Sequence, residues 1–172
     1  KLNLLRSHGI TRDPAHMSNP PHGLWYYQQI ELGFNYRMSD IQAGLGISQL
    51  DRVDENVEKR HAIACLYDKE LTNVPLVLPC KLQDYYSAYH LYIVRLIKPK
   101  AGFHQTIFYK LREMGVGVNL HYIPIHTQPF YQKLGFKVGD FPEAENYYGS
   151  ALSLPMFPTL TEGQQHYVIK SI

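Results

Sequence analysis

Residues 33–50, GFNYRMSDIQAGLGISQL, combine a predicted polar loop with a predicted helix start. The first five predict an ordered loop that carries an amide, a phenol and a guanidinium on Asn35, Tyr36 and Arg37. Ser39 and Gln42 follow with the capping-box spacing, which predicts a helix start because the two side chains satisfy free amides of the first turn. A polar loop in front of a long helix suits a ligand, although the same residues also suit a surface loop that only packs.

The helical pattern continues from Ser39 to Leu71, with apolar residues recurring at helical spacing apart from two wider gaps. Gly44 and Gly46 are poor helix residues, so they indicate either a close backbone approach or a break between two helices near Leu50. Cys65 lies on an apolar background inside this pattern and is predicted to be a buried free thiol.

Other segments give a coarse secondary structure. An α+β unit is predicted, because strands and helices alternate in its second half and the apolar 90–97 run suits a central strand. Thr161 and Gln164 repeat the capping-box spacing at the last helix. In chain order, the predicted elements are the end of a helix at 1–7, a short strand within 25–32, the helical stretch from 39, a strand at 90–97, a helix at 102–114, a short strand at 116–120, a helix at 142–152 and a final helix from 161. The helix at 102–114 is amphipathic, and its inward residues are predicted to be Ile107, Phe108, Leu111 and Met114.

Composition excludes several classes of protein. The 17 basic and 15 acidic residues form no polybasic stripe, which argues against nucleic acid as a partner. No apolar run approaches the ~20 residues that span a bilayer, and the first residues lack the features of a signal peptide. Cys65 and Cys80 form no CxxC pair, so a cytoplasmic protein is expected. Neither end tails into polar sequence, which predicts a piece of a longer protein.

A second polar cluster, NLHYIPIHTQ, spans residues 119–128. It begins where a predicted strand ends, and His121 and His126 flank a proline turn from which both could point into one pocket. Their spacing matches no zinc pattern and no acidic residue lies within the segment, so no metal site is expected. Imidazoles that donate to a phosphate or to a sugar hydroxyl are favoured. No P-loop, GxGxxG motif or nucleophile elbow is present, and no complete active site is visible.

Four segments together resemble a known family. GFNYRMSDIQAGLGISQL, HLYIVRL, GVGVNLHYIPIHTQPFYQKLG and ALSLPMFPTLTEGQQHYVI are similar to the C-terminal half of the DegT/DnrJ/EryC1/StrS nucleotide-sugar aminotransferases, fold-type-I enzymes that use pyridoxal 5′-phosphate (PLP). The HYIPIHTQPFYQKLG segment is most similar to the subgroup that aminates a UDP-4-keto-6-deoxy-N-acetylaltrosamine on the way to pseudaminic acid. The resemblance implies an α+β or α/β fold with a long bridging helix and a small antiparallel sheet covered by helices. Residues 1–50 would then be the trailing part of the large PLP-binding domain and residues 51–172 the small C-terminal domain.

The resemblance also implies roles for individual residues. Asn35 is expected to contact the PLP phosphate of the partner subunit in a homodimer, with Tyr36 and Arg37 at the same interface. Residues expected to contact the UDP-sugar are Arg6, His8 and Arg12 as anion contacts, His121 near the substrate, and Tyr122, His126 and Gln128 behind it. Two simpler alternatives stay open: His8 caps a helix end, and His126 is a packing histidine with its hydrogen bonds satisfied.

The implied reaction transfers an amino group from an amino acid, with glutamate as the expected donor, to a 4-keto-6-deoxy nucleotide sugar for a surface polysaccharide or other glycan. In this family the lysine that binds PLP as a Schiff base lies upstream of the matched segment, and no lysine of this chain falls in that motif. The chain alone is therefore expected to be inactive and to hold no PLP covalently. The alternatives are a non-catalytic UDP-sugar-binding module and an inert fragment. Apolar surface left uncovered in residues 1–50 predicts self-association.

Overall fold

Short helices and strands alternate along the chain in the computed structural model, which describes residues 1–172 without a gap. By their internal contacts these residues form two units, Lys1–Arg52 and Val53–Ile172. The assignment of the two units to a large and a small domain stays a prediction. No helix is long and apolar enough to cross a membrane. The elements are α1 (Leu2–Leu5), β1 (Ile10–Thr11), β2 (Gln28–Gln29), α2 (Asp40–Leu50), α3 (Val53–Glu70), β3 (Leu76–Val77), β4 (Tyr92–Leu96), α4 (Phe103–Glu113), α5 (Pro129–Gln132), α6 (Pro142–Tyr148), β5 (Ala151–Leu154) and α7 (Glu162–Ser171), with 3-10 turns at Pro14–His16 and Ile125–Thr127.

The first unit contains a two-stranded antiparallel sheet, in which Ile10 of β1 faces Gln29 of β2. The predicted strand at 25–32 is reduced to the two residues of β2. Just upstream, the Tyr26 N–H donates to the Gly23 carbonyl in a turn, so this amide is not available to a strand partner. Helix α2 begins as predicted, because both arms of the Ser39–Gln42 capping box are formed.

The break predicted near Leu50 is confirmed. Helix α2 ends at Leu50 and α3 begins at Val53, with a turn at the two residues between them. The alternative reading of the two glycines is not found, because nothing lies within 4 Å of a Cβ added at Gly44 or Gly46. These glycines weaken α2 without bringing another element close.

The second unit is built on a three-stranded antiparallel sheet in the order β3–β4–β5. The 90–97 run was predicted as a central strand, and this is confirmed: Leu76 and Leu154, from the two flanking strands, pair with Leu96 and Tyr92 of β4. The predicted α+β arrangement of a small antiparallel sheet and helices is therefore present. Its core is contributed by α3, β4, α4, β5, α7 and the segments that follow α3 and α4, and includes Ile63, Ala64, Tyr67, Leu71, Tyr92, Val94, Leu111, Val116, Val118, Leu152, Leu154 and Val168.

Two predicted elements are wrong. The predicted helix at 142–152 stops at Tyr148, and Ala151–Leu154 forms strand β5 instead. All four residues of β5 are buried, and a short run that is buried on both faces has no period that separates helix from strand. The predicted strand at 116–120 makes a single bridge, Asn119 to Ser153. The amides of Val116 and Val118 bond back to nearby carbonyls, so no ladder extends along this segment.

Two burial predictions are also wrong. Cys65 is exposed, because the buried stripe of α3 runs through Ile63, Ala64 and Tyr67 and the cysteine lies off it. Met114 is 45% exposed because it lies at the C-cap of α4, beyond the last helical turn. The other residues expected on the inner side of α4 do pack against the core.

Candidate functional site

The predicted ligand loop and the chain just after α1 are joined by backbone hydrogen bonds. Phe34 donates to the Leu5 carbonyl at 2.7 Å, and Tyr36 donates to the Arg6 carbonyl at 2.9 Å. In the other direction, the His8 N–H donates to the Phe34 carbonyl at 2.9 Å. The two loops named as candidates from the sequence are therefore one structure, a short antiparallel ladder in which Ser7 faces Asn35.

Two glycines allow this close approach. A Cβ on Gly33 would overlap the backbone of Gly9 and His8, and a Cβ on Gly9 would overlap the Glu31 carbonyl. Gly9 also has a φ of +70°, in the left-handed region that glycine adopts without strain. Any other residue at these positions would push the two loops apart.

Polar side chains from both strands of this ladder point into solvent without a partner in the chain. Arg6, His8, Asn35 and Arg37 are exposed, and none of their side chains makes a hydrogen bond or ion pair within the chain. The His8 ring makes no bond to the end of α1, so the capping alternative is not found. Guanidinium, imidazole and amide groups are donors that suit an oxyanion such as a phosphate. This donor set fits the phosphate of PLP or the diphosphate of a nucleotide.

The two remaining candidates of this unit, Tyr36 and Arg12, each contact an aromatic ring. The Tyr36 ring stacks on Phe34 with the ring centroids 5.0 Å apart, which fixes the loop conformation. The Arg12 guanidinium lies 5.7 Å from the centre of the Tyr27 ring. A cation held over a ring keeps its outer donors free, so Arg12 stays available to an anion.

In the second unit, His121 lines a groove of about 570 Å³. Its Nδ1 lies 2.7 Å from the Ser153 hydroxyl oxygen, while its Nε2 has no partner in the chain. Ser153 is buried in β5, and its backbone exchanges hydrogen bonds of 2.8 and 3.1 Å with Asn119. These three residues form a polar cluster in a groove that is otherwise lined mostly by apolar residues, with His90, Gln164 and Tyr167 as the other polar side chains.

His126 lies in a different environment. It is 7% exposed, and its Nε2 is 2.7 Å from a carboxylate oxygen of Glu145. The same oxygen accepts the Gly139 N–H at 2.7 Å, and the hydrogen bond from His126, followed by that from Gly139, lowers the pKa of Glu145. The structure does not bring His126 and His121 into one pocket. The burial of His126 and its Nε2 bond agree with the alternative of a packing histidine, and a role toward the substrate stays a prediction.

The other two candidates of this segment do not line the groove. Tyr122 is exposed, and its ring meets the edge of His121 with the centroids 4.6 Å apart. Gln128 precedes α5, and its carbonyl accepts the Gln132 N–H. Of the four residues proposed from the second polar cluster, only His121 contributes to the groove. No group of three or more His, Cys, Asp or Glu side chains is placed to hold a metal ion.

Two residues that shape these environments were missed in the sequence. Ser153 is the only polar residue of the ALSL run, and a lone hydroxyl among buried apolar residues is a signal of a buried hydrogen bond. The helix predicted over 142–152 covers the first two residues of β5, so the sequence analysis does not recognise the strand that positions Ser153. Glu145 carries no local signal, because its bond to His126 joins residues 19 positions apart.

The model of the DegT/DnrJ/EryC1/StrS aminotransferase family matches residues 1–172, and the chain belongs to this family. The resemblance drawn from the sequence motifs is thereby confirmed. The membership also accounts for the fold of helices and small antiparallel sheets found here.

Among curated relatives, the chain is 35% identical over 176 residues to the spore coat polysaccharide biosynthesis protein SpsC of Bacillus subtilis, covering 100% of this chain and 45% of the relative. It is 39% identical over 156 residues to a UDP-4-amino-4,6-dideoxy-N-acetyl-beta-L-altrosamine transaminase of Campylobacter jejuni, covering 90% of this chain and 39% of that protein. The chain therefore spans less than half the length of these relatives.

Among solved structures, a putative sugar aminotransferase of Streptococcus pneumoniae in its PLP form superimposes with a TM-score of 0.88 at 26% identity. The match covers 99% of this chain and 41% of that one. The fold-type-I assignment made from the motifs is confirmed by this likeness.

Proposed function

We propose that the protein to which this chain belongs transfers an amino group to the keto sugar of a nucleotide sugar, with PLP as its cofactor. The observation that carries the proposal is the ladder between the two loops, which gathers unpartnered phosphate donors in a chain that the family model matches from end to end. The free thiols of Cys65 and Cys80 agree with action in the cytoplasm.

Asn35 is the proposed contact to the cofactor. Its side-chain amide donates to the phosphate of a PLP held by the partner subunit of a homodimer, while Tyr36 and Arg37 form the same interface. The backbone bridge to Ser7 supports this role, since it fixes Asn35 while leaving its side chain free. PLP, when bound, supplies the electron sink that amino-group transfer requires. No lysine of this chain is assigned to the covalent bond with PLP, so we propose that the 172-residue chain alone is inactive.

The remaining residues of the proposed site contact the substrate. Arg6, His8 and Arg12 bind the diphosphate of a UDP-sugar through charge-assisted hydrogen bonds. His121 contacts the sugar in the groove, and Tyr122 and Gln128 support the loop around it. His126 acts behind the loop, through its bond to Glu145.

The altrosamine transaminase among the relatives supports a 4-keto-6-deoxy UDP-sugar as the acceptor, and the polysaccharide biosynthesis protein SpsC supports a glycan as the destination. Glutamate is the donor that the family resemblance implies. The test is a reaction of the whole protein with PLP, glutamate and a UDP-4-keto-6-deoxy sugar, followed by mass spectrometry of the sugar. An amino sugar that depends on both PLP and glutamate is expected. UDP-sugar binding without PLP binding and without amino transfer would establish the non-catalytic module instead.

A further inference from the structure

The contact between His121 and Ser153 is held in place by the strands around it. Ser153 is 4% exposed, pairs with Ile93 of the central strand on one side, and exchanges backbone hydrogen bonds with Asn119 on the other. Because both sides of its backbone are fixed, the hydroxyl has few positions open to it. The strand pairing therefore fixes the 2.7 Å distance between Ser153 Oγ and His121 Nδ1.

The direction of this hydrogen bond follows from the surroundings of the hydroxyl. The Ser153 hydroxyl makes no hydrogen bond within the chain other than the one with His121. A buried hydroxyl needs an acceptor for its proton, and Nδ1 is the acceptor within reach. If the imidazole donated instead, the Ser153 proton would be buried without an acceptor. The hydroxyl therefore donates, and the proton of the neutral ring lies on Nε2.

Asn119 does not compete for the imidazole. Its side-chain oxygen already accepts the Leu120 N–H at 2.8 Å. The rest of the groove is lined mostly by apolar side chains such as Met156 and Leu160. A hydrogen bond in such a weakly polar environment is stronger than the same bond in water, which favours a single arrangement of the ring.

We propose that Ser153 is a positioning residue that holds neutral His121 as the Nε2–H tautomer, so that the ring offers a fixed N–H donor to the groove. The hydrogen bond at one ring nitrogen decides which proton the other carries. The proposal rests on the proposed function for the identity of the ligand, which His121 meets through an oxygen acceptor of the sugar or its phosphates. In this state His121 binds and orients the substrate, and it has no free lone pair with which to accept a proton.

The test is nitrogen-15 NMR of the whole protein labelled at its histidines, at a pH well above the ordinary histidine pKa of about 6.5. The signals of His121 are identified by their loss in His121→Gln. A protonated Nε2 and an unprotonated, hydrogen-bonded Nδ1 are expected. A wild-type chain with the proton on Nδ1 would overturn the proposal.

Variants separate positioning from folding. In Ser153→Ala, the Nδ1 signal should shift toward that of a free imidazole nitrogen and the second tautomer should appear, and Ser153→Thr should restore the wild-type signals. Ser150→Ala is the matched control, because this buried hydroxyl bonds to the carbonyls of Asn146 and Tyr147 and does not touch His121. If Ser153→Ala fails to fold, the wild-type tautomer and Ser153→Thr still decide the matter. Unchanged His121 signals in a folded Ser153→Ala would contradict the proposal.

The kinetics of amino transfer by the whole protein test whether the tautomer of His121 matters for the proposed function. Loss of one hydrogen bond predicts a fall of about tenfold in kcat/KM for Ser153→Ala. No amino transfer by the wild type would defeat the proposed function and leave the NMR result standing. Normal amino transfer by the wild type, together with a His121 tautomer that is the same in Ser153→Ala, would defeat the positioning role alone.

Discussion

The hydroxyl of Tyr92 donates a 2.7 Å hydrogen bond to the Asp68 carboxylate, and this bond ties the central strand to helix α3. Asp68 also pairs with Lys81, from the segment that leads out of β3. Burial and then the bond to Asp68 raise the pKa of Tyr92 well above its ordinary value. The phenol therefore stays neutral and serves as a structural donor in the core of the second unit.

Tyr92→Phe should lower the free energy of unfolding by roughly 1–3 kcal/mol, because it removes a hydrogen bond to a charged group while keeping the buried ring. Urea denaturation followed by circular dichroism measures the change. Tyr109→Phe is the control, since Tyr109 is exposed and its hydroxyl makes no hydrogen bond within the chain. Equal stability of the two variants would show that the Asp68 bond contributes nothing.

The His126–Glu145 pair predicts a dependence of stability on acid. The pKa of Glu145 is lowered in the folded chain, so its contribution is present above the ordinary carboxyl pKa and is lost as the pH falls through the lowered value. Glu145→Gln should therefore be less stable than the wild type at neutral pH, and the difference should shrink in acid. Thermal melts over a pH series measure it.

Glu143→Gln on the same helix is the matched control, because Glu143 is exposed and unpaired. Its stability should follow that of the wild type at every pH. A difference between wild type and Glu145→Gln that stays constant with pH would contradict the role given to the Glu145 carboxylate.

Helix α2 buries none of its residues, and Ile41 and Leu45 are 86% and 63% exposed on the same side of it. An exposed apolar face of this kind predicts self-association of the chain. Replacing both residues, as Ile41→Glu with Leu45→Lys, should reduce association and keep the helix, because the new pair has the favourable i,i+4 order. Glu58→Gln on α3 is the control, because Glu58 is exposed, lies outside α2 and makes no side-chain bond within the chain. Sedimentation velocity over a concentration series measures the self-association. A wild-type chain that stays monomeric throughout would refute the prediction.

Local chemistry was predictable from the sequence. The capping boxes at Ser39 and Thr161 both form, because each depends on two side chains within one helical turn. The break near Leu50 and the central strand at 90–97 follow from glycine content and from a run of β-branched and aromatic residues. The polar residues of the GFNYR loop were also singled out, although their ladder with the Arg6–His8 backbone was not.

Long-range contacts were not predictable in the same way. Strand β5 is specified by its pairing with β4, and the short run alone does not distinguish it from the end of the preceding helix. The partners of the two histidines, Ser153 and Glu145, lie 32 and 19 positions away in the sequence. The fold therefore decides which histidine faces a groove and which is buried. The HYIPIH spacing does not predict this difference.

The central claim is that the loop at Asn35 holds the phosphate of PLP in a nucleotide-sugar aminotransferase. The measurement is the Kd for PLP of the whole protein, from equilibrium dialysis, in the wild type, in Asn35→Ala and in the control Asn73→Ala, whose exposed side chain makes no bond in the chain. Loss of a hydrogen bond to a charged phosphate predicts a Kd about tenfold or more higher for Asn35→Ala and unchanged for Asn73→Ala. An Asn35→Ala protein that retains PLP as tightly as the wild type would contradict the account.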